Sequence, residues 1–133
     1  MGTWGSGVFA NDDAMDWIAG LEDTDDIGVV ERALAAVTGA DSYLEAPTCA
    51  EALAAAEVIA TLRKQPGPDV PSEVFEWMAR VGREMPPTLP QEAQRAIDRV
   101  LADSELQELW EEAGEPGIAE WRATLAELRG RLG

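Results

Sequence analysis

The sequence predicts an all-α fold: a single-domain bundle of about seven helices behind a glycine-rich N-terminal arm. Two observations predict it. Apolar residues recur at three- and four-residue spacing through most of the chain, and no stretch of convincing length alternates with period two. Capping and stop residues divide that pattern into helix-sized lengths. At 133 residues the chain suits one domain, expected over 1–133, that buries roughly two-thirds of its unfolded surface.

The first helix follows Asn11. Ala14, Trp17, Ile18 and Leu21 form an apolar stripe, and Asn11 or Asp12 supplies the cap. Acids in its first turn suit the positive end of the helix dipole. A second helix is expected from about Thr24, with Ile27, Val30, Leu34 and Val37 on one face and Gly39 as its stop. GADSYLEAP then forms a loop. Thr48 and Glu51 have the T-x-x-E spacing of a capping box and open an alanine-rich helix to about Lys64. So many alanines let neighbouring backbones approach closely, which places this helix at the centre.

QPGPDVP, at 65–71, is a firm break and a candidate hinge. The fourth helix is expected from Ser72 to about Glu84, burying Val74, Met78 and Val81. After MPPTLP, Thr88 and Gln91 repeat the capping spacing for a fifth helix with the stripe Ala93, Ala96, Ile97, Val100 and Leu101. Ser104 and Gln107 repeat it for a short sixth helix through Leu106, Leu109 and Trp110. Beyond GEPG, Ile118, Trp121, Leu125, Leu128 and Leu132 mark the last helix.

The charge is strongly negative and uneven. Residues 1–60 carry twelve acids against Arg32 alone, while 61–133 carry fourteen acids against nine bases. Such a surface repels nucleic-acid phosphates and anionic membranes and attracts cations or a basic protein. No nucleic-acid or membrane partner is therefore expected. The apolar runs are too short to span a bilayer, no signal peptide is expected, and the lone Cys49 suits a reducing cytoplasm. The chain has no histidine, which excludes Ser-His-Asp and Cys-His nucleophiles and any His-ligated metal.

The opening MGTWGSGVFANDDAMDW brings glycines to a helix N-terminus, but carboxylates stand where a phosphate would sit, so anion binding is not expected. Asp12, Asp13 and Asp16 share a helix face and, with Glu45 and Glu57, are the candidate ligands for Mg²⁺ or Ca²⁺. The favoured reading is a capped first turn with solvated acids, and no cofactor. Trp4 and Phe9 are expected to plug the arm into the bundle, with Gly5 and Gly7 supplying its turns. Glu57 falls on a stripe with Ala50, Ala54 and Thr61 that reads as an outward surface. Glu73 and Glu76 have the E-x-x-E spacing of all-α metal-dependent pyrophosphohydrolases, without a convincing second acidic pair. Cys49 reads as a buried small residue. The pairs Arg80/Arg83 and Arg95/Arg99 read as partners for nearby acids on solvated faces.

MG-x-WG-x-G-x-F-x-NDDA-x-DW, then YLEA, then AAAEVIA, resembles the bacterial family called domain of unknown function 4259. The residues carrying that signature are Trp4, Gly5, Gly7, Phe9, Asn11, Asp12, Asp13, Asp16 and Trp17. The resemblance implies a bacterial cytoplasmic protein and brings no established activity with it. Two functional classes follow from the residues. One is a non-enzymatic protein-interaction module that binds a basic partner, as an immunity protein or antitoxin does. The other is a divalent-metal-dependent hydrolase that uses the clustered carboxylates.

Overall fold

The computed structural model describes residues 5, 7–81 and 85–133. Among these the chain forms seven α-helices and no strand, the all-α bundle its periodicity predicts. They are α1 (Asp12–Gly20), α2 (Gly28–Thr38), α3 (Ala46–Leu62), α4 (Ser72–Val81), α5 (Leu89–Ala102), α6 (Glu105–Ala113) and α7 (Gly117–Arg131), with a 3-10 turn at Leu21–Asp23.

The bundle is built around α3. From Ala52 to Thr61 every residue is buried, and α1, α2, α5, α6 and α7 all pack against this helix. A helix buried on all sides must be apolar on all sides. The alanines at 52, 54, 55, 56 and 60 meet that requirement while letting the surrounding helices come close. The other helices each turn one face to the core, α6 only through the half-buried Leu106 and Trp110. Val30, Leu34 and Val37 of α2, Ala93, Ala96, Ile97 and Val100 of α5, and Ile118, Trp121, Leu125 and Leu128 of α7 all face inward.

Three helix starts differ from the sequence expectation. Residues 24–27 form turns instead of helix: Thr24 Oγ1 accepts from the Asp26 N–H, and Asp26 Oδ1 accepts from the Gly28 N–H. α2 therefore begins at Gly28. The Thr48/Glu51 capping box does not form, because α3 starts earlier, at Ala46, with Pro47 in its first turn. Its cap comes from α6, where the Glu105 carboxylate accepts from the Ala46 N–H at 2.7 Å and the Glu105 N–H donates to Leu44 O. At α5, Thr88 occupies the cap position but makes no side-chain capping bond.

Side-chain burial departs from expectation in α4 and α6. Trp77, together with Val74, is fully buried, while Met78 and Val81 are half-buried. Leu109 is exposed, and Trp110 stacks on Trp121 with ring centroids 6.0 Å apart and planes 13° apart. Gly117 makes room for that stack, since a Cβ there would meet Trp110 Cζ3 at 3.2 Å. The predicted end of α4 near Glu84, and Arg83 with it, lie outside the described residues.

α3 ends in a Schellman motif. The Gln65 N–H bonds back to Ala60 O and the Lys64 N–H to Thr61 O, with Lys64 at φ 65°. Among the described residues no helix is long and apolar enough to cross a membrane.

Candidate functional site

The opening arm forms a tight turn in which the Ala10 N–H donates to Gly7 O at 3.0 Å. Asn11 joins that turn to α1. Its Oδ1 accepts from the Ala14 N–H at 2.8 Å, capping the helix, and its Nδ2 donates to Val8 O at 3.3 Å. Val8 and Phe9 are thereby turned into the core, each less than a tenth exposed. The expected plugging of the arm holds for Phe9, while Trp4 lies outside the described residues. Trp17 is half-buried against the same core.

Asp12, Asp13 and Asp16 are exposed on α1. Asp13 acts on one further acid, Glu51, which the sequence singled out only as a capping-box partner. Burial first, and the Asp13 charge second, push the Glu51 carboxyl above its usual range. Glu45 is exposed at the start of α3. Among the described residues no three carboxylates or thiols come close enough together to hold a metal ion. Cys49 is buried, and desolvation raises its thiol pKa, so it is not a reactive thiolate.

Glu57 overturns its sequence reading. The stripe Ala50, Ala54, Glu57 and Thr61 faces inward, and Arg131 of α7, itself bonded to Gln65 O, closes over Glu57. The Glu57 carboxylate accepts two hydrogen bonds from Arg131, from Nη1 at 2.6 Å and from Nη2 at 2.8 Å. Arg131 Nη1 also donates to Gln65 O, and its Nε donates to Glu127 at 2.7 Å. Bonding to Glu57 in the first place, then to Glu127, raises the Arg131 pKa and keeps the guanidinium charged. Gly67 lies directly on this pair, since a Cβ there would fall 2.7 Å from Glu57 Oε1. The sequence hints at the arrangement only through an acid buried in alanine and an arginine one turn after Glu127.

The ion pair forms the floor of an open cleft of about 810 Å³. One wall is the arm, with Gly5, Gly7, Val8, Phe9 and Ala10, continued by Met15 of α1. The facing wall is one stripe of α7, Ala123, Thr124, Glu127 and Arg131. The 65–71 loop closes one side with Pro68, Asp69 and Pro71. The family signature segment and the buried ion pair therefore meet in one concavity.

A second polar cluster lies at the other end of α3. The exposed Tyr43 donates its hydroxyl to Glu108 of α6, and Arg99 holds the preceding loop by donating to Ala40 O and Ser42 O. The bond to Glu108, then desolvation and the charges of Glu108, Glu105 and Asp103, push the Tyr43 phenol up to about 12.

A family model, Domain of unknown function (DUF4259), matches residues 2–124. The chain belongs to the DUF4259 family. The match includes the arm, the YLEA loop and α3, and it extends through α4, α5 and α6 into α7, beyond the segments that carry the resemblance in the sequence. No curated protein and no solved structure matches this DUF4259 chain.

Proposed function

We propose that this DUF4259 protein is a non-enzymatic interaction module that binds a basic protein partner, in the manner of an immunity protein or antitoxin. One observation carries the reading. Seven carboxylates, Asp12, Asp13, Asp16, Glu22, Asp23, Asp25 and Asp26, stand exposed along α1 and the turn after it, with no lysine or arginine among them. Among the described residues only Asp25 of these seven forms an ion pair, with Arg80 at 2.9 Å. A one-signed patch of this kind steers a basic partner into encounter and makes association salt-sensitive.

The test is capture by the immobilised protein from bacterial lysate across about 50 to 500 mM salt, a range that shortens the screening length several-fold. A basic protein retained at low salt, released at high salt and lost with Asp12→Asn/Asp13→Asn/Asp16→Asn supports the reading. Equal capture by that variant, or none by the parent, overturns it. The hydrolase alternative draws no support from the geometry, since Glu57 is committed to Arg131. A melting temperature raised by millimolar Mg²⁺, Mn²⁺ or Ca²⁺ would revive it.

A further inference from the structure

The cleft between the arm and α7 is apolar on its walls and negative overall. Three carboxylates, Glu57, Asp69 and Glu127, face one guanidinium, that of Arg131. Arg131 presents little of its charge to an incoming group, because Nε, Nη1 and Nη2 are all bonded, to Glu127, Glu57 and Gln65 O. Glu57 is equally committed, with both oxygens on Arg131 and only 6% of its side chain exposed. What the cleft offers a visitor is the carboxylate of Glu127, 58% exposed, and the exposed Asp69, above walls that include Val8, Phe9 and Met15.

That combination matches a long cationic side chain. Methylenes of such a chain cover apolar surface while the charged head stays near water and carboxylates. We propose that the cleft takes an arginine or lysine side chain of the basic partner, its stem against Val8, Phe9 and Met15 and its head between Asp69 and Glu127. The proposal rests on the interaction reading above. It adds that the acidic patch of α1 guides the approach and that the cleft sets the register. An anion would meet the wrong charge here, and an uncharged apolar group would gain nothing from Asp69 or from the carboxylate oxygen of Glu127 that Arg131 does not hold.

The probe is N-acetyl-arginine amide, titrated into the ¹⁵N-labelled full chain and followed by backbone amide shifts. N-acetyl-norleucine amide serves as a control with a similar stem and no charge. Saturable shifts at Val8, Ala123 and Thr124 with the arginine compound, and at least about tenfold weaker ones with norleucine, are expected. Asp69→Asn/Glu127→Gln should weaken the arginine effect about tenfold while leaving the melting temperature within a few degrees, since both sites are exposed and glutamine still accepts from Arg131. Equal shifts from norleucine, shifts confined to Asp12–Asp26, or no change in the double variant would overturn the cleft assignment. Capture of a basic protein that survives Asp69→Asn/Glu127→Gln would sink the cleft while sparing the interaction reading. Failure of capture by the parent, with arginine still filling the cleft, would remove the partner instead.

Discussion

Glu57 and Arg131 lie 74 positions apart and meet in a two-bond ion pair, the Glu57 side chain 6% and the Arg131 side chain 14% exposed. The pair fastens the last turn of α7 to the C-terminal half of the central helix and forms the cleft floor. Arg131→Ala leaves a buried carboxylate without its partner, and a loss of roughly 3 kcal/mol in unfolding free energy is expected. Replacing both members, Glu57→Leu with Arg131→Met, removes the stranded charge and should restore most of that loss. Urea unfolding of the two variants checks this, and equal destabilisation in both would contradict it.

Gly67 has no room for a side chain. A methyl group would press on Glu57 Oε1 at 2.7 Å and Arg131 Nη2 at 3.0 Å, atoms held in place by the ion pair. Gly67→Ala is therefore expected to destabilise by about 1–3 kcal/mol, the range for overpacking a fixed site. In the Glu57→Leu/Arg131→Met background the penalty should change, which a double-mutant cycle measures.

Tyr43 is the chain's single tyrosine, so phenolate absorbance reports this one group. Its folded pKa of about 12 lies above the usual 10, so the folded state favours the neutral phenol. The associated stability is fully present below pH 10 and is lost as pH rises from 10 through about 12. Glu108→Ala removes the first cause of the shift and should bring the spectrophotometric midpoint down towards 10. An unchanged midpoint would refute the assignment.

Lys64 holds the left-handed position that closes α3, a conformation costing a side-chain-bearing residue about 1–2 kcal/mol. Lys64→Gly relieves that strain, partly offset by the greater freedom of glycine in the unfolded chain. A gain of roughly 0.5–1 kcal/mol is expected from chemical denaturation, and a loss would show that the lysine side chain itself stabilises the motif.

Ser104 is fully buried, accepting from the Gln107 N–H at 3.1 Å and donating to Val100 O at 2.8 Å. Ser104→Ala removes the cap of α6 and should cost about 1–2 kcal/mol. The fall in melting temperature is the measurement.

Local signals were legible and distant ones were not. Asn11 and Ser104 cap their helices through an amide three residues on, so sequence spacing reveals them. The alanine run of α3 announces its central place, since few other residues could be enclosed so tightly on every side. Thr48 misled because the cap of α3 is supplied by Glu105, 59 positions away from Ala46, and no local pattern encodes that. Glu57 misled for the same reason: a carboxylate one turn from alanines reads as surface unless the arginine that neutralises it is known. The cleft was illegible as a whole, because its walls come from four separated segments. Only its arm was visible, as a signature without a geometry.

The stacked indoles of Trp110 and Trp121 have a spectroscopic consequence. Two such chromophores at 6.0 Å couple their electronic transitions, and any twist between their in-plane transition dipoles turns that coupling into a paired positive and negative band in circular dichroism. Because one ring belongs to α6 and the other to α7, this band tracks the seating of the short helix on its neighbour, apart from total helix content. It gives an optical gauge of whether that corner of the bundle opens before the rest.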